Sequence, residues 1–201
     1  MPPDNSYADL EASIREIETD RFRLKPIGRW RLARLKHAYF QMEDVRRTYL
    51  APAHPPSFWS VLKKTKRSKK RQRYYHEIIA KDGDQTIGLH TTQLSKTSFA
   101  TMEIIVGDLN WRGKDVVPEV RRAIMVPMVL GGHITQVSNQ VYARNFGSIL
   151  NYQKLGFDHV GTLYQAAFDE YRGELADYLI FTSRGEKLQK LARQWADEAA
   201  R

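Results

Sequence analysis

Val106-Gly107-Asp108-Leu109-Asn110-Trp111-Arg112-Gly113-Lys114-Asp115-Val116 is the stretch on which the fold turns. Strand-like composition from Phe99 to Val106 predicts a strand that ends at Gly107. From Val116 the apolar spacing becomes that of a helix reaching Leu130, kinked at Pro127 and closed by Gly131-Gly132. A strand that passes through a glycine turn into a helix leaves backbone N–H groups free at the helix start, where the helix dipole also favours an anion. Arg112 and Lys114 place two cations beside that point. Taken alone, the segment reads first as an ordinary strand-to-helix connection.

On its N-terminal side, Tyr7, Leu10, Ile14 and Ile17 predict a short amphipathic helix over 7–17, and Phe22 and Leu24 alternate with charged residues as a first strand. Leu32, Leu35, Tyr39, Met42, Val45 and Tyr49 mark one long helix, stopped by Pro52, Pro55 and Pro56, with a short helix from Ser57. Strands at 74–80, 86–94 and 99–106 follow, the first two joined by the turn signal Asp82-Gly83-Asp84. On the C-terminal side come a strand at 135–141, a helix at 145–155, strands at 158–167 and 175–182, and a last helix over 185–200. There is no repeat and no linker, so one domain over 1–201 is expected, its core about 18–182 with the two terminal helices as extensions. The order predicts an α/β (α+β) fold: a mixed, mostly antiparallel sheet of six to seven strands with helices on both faces.

Composition narrows the chemistry. The chain has 201 residues, 42% of them hydrophobic, and no cysteine, which excludes disulfide scaffolds, thiolate nucleophiles and Cys-based metal sites. No apolar run approaches the ~20 residues of a membrane helix, and the N-terminus does not read as a signal peptide, so a soluble, cytoplasmic protein is expected. The net charge is +9, and nearly all of it resides in Lys63, Lys64, Lys66, Arg67, Lys69, Lys70, Arg71 and Arg73. That run reads as a solvated loop or, with Tyr74 and Tyr75 beside it, as a contact for RNA, a ribosomal surface or an acidic peptide.

Residues 145–157 read Asn-Phe-Gly-Ser-Ile-Leu-Asn-Tyr-Gln-Lys-Leu-Gly-Phe. Asn145, Ser148, Tyr152 and the closing Lys154-Leu155-Gly156-Phe157 resemble the second signature of the GNAT superfamily, the acyl-CoA-dependent N-acetyltransferases. The loop 106–116 resembles that family's pyrophosphate motif, usually Gln/Arg-x-x-Gly-x-Gly/Ala. Ile17 to Leu24 resembles the first strand of the branch that includes ribosomal-protein N-terminal acetyltransferases.

The resemblance implies a splay between the fourth and fifth predicted strands and acetyl-CoA as co-substrate, with no metal. It implies a cofactor site at Ile105, Val106, Arg112, Gly113, Lys114, Asp115, Val116, Asn145 and Ser148. Tyr152 would be the acid that protonates the departing thiolate, as an alternative to a packing role on the sheet. Glu103 is the candidate base for the acceptor amine, with Thr101, His76 and His90 as other candidates, and Asp108 is expected to cap the loop. The implied activity is acetyl transfer to an amine, a polypeptide amine such as a protein N-terminus being favoured, in a monomer or homodimer. The alternative is a non-catalytic module of the same fold that binds RNA or a ribosomal partner through 63–73.

One departure stands out: Asp115 occupies the last Gly/Ala position of the motif, and Asn110 its first. The carboxylate either repels a diphosphate or caps the helix while pointing aside.

Overall fold

The structure, a computed structural model, describes residues 9, 10, 12, 14–65 and 72–200. Within them run eight strands: β1 (Ile17–Glu18), β2 (Phe22–Pro26), β3 (Gln72–Ala80), β4 (Gln85–Leu94), β5 (Phe99–Val106), β6 (Gln136–Tyr142), β7 (Asp158–Asp169) and β8 (Glu174–Arg184). The helices are α1 (Arg29–Gln41), α2 (Glu43–Thr48), α3 (Phe58–Lys64), α4 (Val116–Leu130), α5 (Phe146–Lys154) and α6 (Gly185–Ala199). The strands form one sheet in the order β1-β2-β3-β4-β5-β6-β8-β7, antiparallel at every step except β5 to β6.

Two elements differ from the sequence expectation. The eighth strand is Ile17–Glu18, which the periodicity assigns to the end of an N-terminal helix. Thr19 makes the difference, since its hydroxyl accepts from Phe22 N–H at 2.9 Å while its own N–H donates to Phe22 O at 2.8 Å. That closes a hairpin, and Ile17 pairs with Leu24. Of the expected helix over 7–17, residues 9, 10 and 12 are helical, and the others before Ile14 lie outside the described residues. The single helix expected through Tyr49 is two helices, broken at Met42, whose ψ of 122° is extended. Glu43 and Asp44 follow at once, placing negative charge in the first turn of α2, where the helix dipole favours it. Lys63 and Lys64 close α3 and Arg73 lies in β3, but Lys66, Arg67, Lys69, Lys70 and Arg71 fall outside the described residues.

The sheet separates two apolar layers. On one face α4, α5 and α6 bury Phe22, Leu24, Met102, Ile124, Phe181 and Trp195 in the main core. On the other, α1 and α2 cover Leu89 and Ile105 with Leu32, Leu35 and Val45. Each such aliphatic or aromatic side chain contributes roughly 1.5–3 kcal/mol by leaving water. Helix α6 supplies Leu188, Ala192 and Trp195 to the main core, and is therefore packed into it rather than appended.

The sheet comes apart at one place. β5 and β6 pair only at Phe99–Gln136 and Ala100–Val137, and then diverge. At Met102 the ladder is replaced by side chains: its N–H donates to Asn139 Oδ1 at 2.8 Å, and its carbonyl accepts from Arg121 Nη2 at 3.4 Å. Phe99 O accepts from Ser95 N–H and Gly107 N–H donates to Ile87 O, so the odd-numbered residues of β5 turn their backbone to β4. A Cβ added at Gly88 would strike Ile105 O, which shows that residue facing β4 as well. By alternation Ile104 and Val106 face the gap with backbone groups that no strand pairs.

Strands β3 and β4 carry two buried histidines. His76 Nε2 lies 2.7 Å from Ile14 O, whereas both ring nitrogens of the fully buried His90 have no hydrogen-bond partner among the described residues. Burial holds His90 well below the usual histidine range, helped by neighbouring His76 and by the Arg121 charge. Burial likewise lowers His76, against the hydrogen bond to Ile14. Because the folded values are depressed, this contribution to stability is complete above the ordinary value of 6.5 and is lost as pH falls below it. Urea unfolding at a series of pH values below neutrality should show stability declining by up to about 1.4 kcal/mol per pH unit for each unmatched proton. The decline should be shallower in His90→Gln; an equal slope in both proteins would exclude His90 as a source.

Candidate active site

The gap between β5 and β6 opens into a cavity of about 840 Å³ that reaches from the end of α2 to the start of α4. Ile105, Val106, Glu103, Arg112, Gly113, Asp115, Val116, Asn145, Ser148 and Tyr152 all line it, so the structure brings the sequence-chosen residues to one place. Lys114 is the exception: it does not line the cavity, and its ammonium lies 5.6 Å from the centre of the Trp111 ring. For Ile105 the contact is through its side of the wall, since its carbonyl is turned to Gly88 and its neighbour Ile104 presents main chain to the gap.

The loop entering α4 is built to expose N–H groups. Gly113 has φ +74° and Asp115 φ +54°, left-handed conformations of the kind from which main-chain anion nests are built. Glu119 N–H, bonded to Asp115 O at 3.2 Å, is the first satisfied amide of the helix. Among the described residues no well-formed hydrogen bond engages the N–H groups of Gly113, Lys114, Asp115, Val116 and Val117. The loop is clamped from behind by the β1–β2 hairpin. Arg21 donates to Glu119 Oε2 at 2.7 Å and to Lys114 O at 2.9 Å, while Trp111 packs edge-on to Phe22 at 5.3 Å. Asp108 Oδ1 accepts from Asn110 N–H at 2.9 Å, capping the short 3-10 turn Leu109–Trp111 as the sequence suggests.

Asp115 neither caps α4 nor lies free. It makes no side-chain cap, and its carboxylate pairs with the Lys154 ammonium at the end of α5. The left-handed backbone here explains why a glycine suits the position, and Asp tolerates it better than most residues. The helix-cap alternative is thereby corrected: the side chain points aside, but toward a cation and not toward the helix.

Asn145 ties the walls together. Its Oδ1 accepts from Ser148 N–H at 3.0 Å, capping α5, and its Nδ2 donates to Thr48 O at 2.8 Å at the end of α2. Tyr152, one turn further along α5, is 2% exposed, stacks on Phe181 at 5.3 Å and has the Arg121 guanidinium 4.4 Å from its ring centre. Burial pushes its phenol above the usual tyrosine range, with Arg121 pulling the other way, so the group is protonated at neutral pH. On the opposite wall Glu103 accepts from Lys36 of α1 at 2.6 Å. Tyr49 stands between these walls, its phenol raised well above its ordinary value by burial and by the Glu103 charge. His76 and His90 are buried on β3 and β4, and neither lines the cavity. Thr101, the remaining candidate, lies on β5 outside the lining.

Sequence reasoning missed Arg121, Tyr49, Asn139, Lys36 and Lys154. For Arg121 a signal exists: helical spacing puts it in line with Val117 and Met125, a lone cation on an apolar stripe. The others depend on which elements the fold brings together. No group of His, Asp or Glu suited to a metal ion occurs among the described residues.

No protein-family profile matches the chain, and no curated protein matches it in sequence. Solved structures do match in fold. Spermidine N-acetyltransferase from Vibrio cholerae, in complex with CoA and spermine, superposes with a TM-score of 0.69 at 15% identity, covering 84% of this chain and 98% of that one. RimL, a ribosomal alpha-N-protein acetyltransferase in complex with coenzyme A, gives 0.67 at 13% identity, covering 86% and 99%. A GNAT-family acetyltransferase from Bacillus anthracis gives 0.65 at 11% identity, covering 84% and 98%. The chain has the GNAT fold.

The Asp115–Lys154 pair yields a measurable consequence. Asp115→Gly relieves the left-handed strain and frees an ammonium beside the unbonded amides, so a phosphate-bearing anion such as pyrophosphate should bind several-fold more tightly. Both partners are exposed, so the gain should shrink at high ionic strength. Titration of both proteins at low and high salt checks it; unchanged affinity would mean that the pair does not compete with the ligand.

Proposed function

We propose that this protein is an N-acetyltransferase that moves an acetyl group from acetyl-CoA to an amine in a single step, with both molecules bound. The reading is carried by one observation: unpaired main chain at Ile104 and Val106 runs toward a row of unbonded amides at the start of α4, and Tyr152 lines the same cavity. An extended amide-bearing arm fits the first feature as an added strand, and a diphosphate fits the second. An amide-bearing arm joined to a diphosphate is the makeup of the pantetheine and pyrophosphate of acetyl-CoA, which supplies the activated acetyl thioester. Arg112 adds a cation at the diphosphate end, and Asn145 and Ser148 hold the start of α5 against the cavity.

In this reading Glu103 takes the proton of the acceptor amine, directly or through water, which makes the nitrogen nucleophilic. Tyr152 gives its proton to sulfur as the carbon–sulfur bond breaks, and its raised phenol keeps that proton available at neutral pH. Lys36, already hydrogen-bonded to Glu103, keeps the carboxylate turned to the wall where an amine arrives.

For the acceptor, charge argues against a polyamine. The chain carries +9, concentrated in the segment that follows α3, and a polycation approaching it is repelled. An amine at the end of an acidic polypeptide is drawn to the same segment. The rival reading, a non-catalytic binder of RNA or a ribosomal partner, rests on that segment alone, and the free amides beside a side-turned Asp115 speak for the enzyme.

Three measurements test the reading. Calorimetric titration with acetyl-CoA should show saturable binding, and absence of heat and of any thermal shift at millimolar ligand would overturn it. In an acetylation screen, acidic peptides should be acetylated in preference to spermidine. Tyr152→Phe should then lower kcat by about 10²-fold with little change in acetyl-CoA KM; near-normal turnover would return Tyr152 to a packing role.

A further inference from the structure

Arg121 is an anomaly in the main core. It projects from the buried face of α4, is 4% exposed, and is flanked along the helix by Val117 and Met125. Among the described residues no carboxylate pairs with it, and its Nε and Nη1 have no hydrogen-bond partner. Leaving such donors unmatched is costly when the group is charged, so an apolar residue would give a more stable core. What the guanidinium does have is one long hydrogen bond, at 3.4 Å to Met102 O at the vertex of the strand gap, and the Tyr152 side chain, whose ring centre is 4.4 Å away and whose phenol lies within its hydrogen-bonding influence. Phe181 stacks on the same ring at 5.3 Å. The phenol is thus bounded by an aromatic ring from β8 and a cation from α4.

We propose that Arg121 is the positioning residue for Tyr152, fixing the phenol at the cavity wall and favouring the negative charge that develops on it when its proton leaves for sulfur. The proposal rests on the reading of Tyr152 as the proton donor. The step is balanced: the amine nitrogen, its proton passed to Glu103, bonds to the thioester carbon, the carbon–sulfur bond breaks with its electron pair on sulfur, sulfur takes the phenol proton, and the resulting phenolate is held by the guanidinium until water reprotonates it. A cation at the ring face stabilises the phenolate more than the neutral phenol, since only the phenolate carries net charge. Burial alone would make Tyr152 a weaker acid, and Arg121 is the group that opposes it. The other ionisable groups about this centre are Tyr49 at the end of α2, Glu103 on β5 and Arg112 in the loop before α4, all near one another, with His90 on β4 beyond Arg121 and His159 of β7 against Phe181, 5.6 Å between ring centres. His90, kept neutral by burial, adds no competing charge.

The test uses the full-length protein labelled with fluorotyrosine, whose phenols ionise at lower pH, and reads the Tyr152 resonance, assigned by its absence in Tyr152→Phe. Arg121→Met should move ionisation of that phenol to higher pH, lower kcat about tenfold, and shift the pH profile of kcat in the same direction with little change in acetyl-CoA KM. Arg121→Lys should recover most of both effects. Should Arg121→Met not fold, Arg121→Gln removes the charge while keeping a planar polar group at the ring, and carries the same expectation. Ionisation at the same pH in the variants and the parent overturns the proposal at Arg121 itself. A shifted ionisation with unchanged turnover overturns it through its premise, because Tyr152 would then not be the proton donor.

Discussion

The divergence of β5 from β6 is the constraint on which the rest of the structure depends. Two parallel strands that begin paired at Phe99 and Ala100 would ordinarily continue, because each further pair satisfies backbone groups that are costly to leave unmatched in a folded chain. Here Asn139 and Arg121 take the two backbone groups of Met102 with their side chains and so end the ladder without leaving its vertex unsatisfied. Beyond that vertex, Ile104 and Val106 form a strand edge in the middle of a sheet. The cavity exists because that edge is open, and its chemistry is that of an edge seeking a partner strand.

Around the gap the two layers divide the work. α4 and α5 bring the amide row and Tyr152, and they rest on the main core, so their positions are fixed by deep apolar packing. α1 and α2 bring Lys36 against Glu103 and Tyr49 against the cavity from the opposite side of the sheet. Asn145 joins the two by bonding Thr48 O, and Arg21 holds the loop before α4 from the far end of the sheet. The site is therefore assembled from segments far apart in the chain, and each is held by at least one named bond. Such support is what keeps donor and acceptor atoms within reach of a ligand without reorganisation.

Much of this was legible in the amino acids. Seven of the eight strands follow from alternation between turn residues, and α4 and α5 from their apolar spacing and glycine ends. Residues 106–116 and 145–157 pointed to one site, and ten of the residues read from them and from β5 do share a cavity. The misses have physical causes. A two-residue strand such as Ile17–Glu18 has no period to read; Thr19 and the pairing with β2 create it. The break at Met42 preserves the apolar stripe on both sides of it, so periodicity passes straight through.

By itself, the sequence determined the alternation of strands and helices, the amide-presenting turn at Gly113, the placement of Tyr152 one turn and more into a capped helix, and the excess of charge after α3. These are properties of neighbours in the chain, set by backbone preference and side-chain period. Only the tertiary structure decided that Asp115 faces Lys154, that Ile104 and not Ile105 opens to the gap, and that Arg121 lies against Tyr152. Those outcomes turn on which face a strand shows to its neighbour and how two helices pack, and a displacement of one residue or a small rotation reverses each of them. Local pattern carries the elements; the side chains that end one ladder at Met102 carry the site.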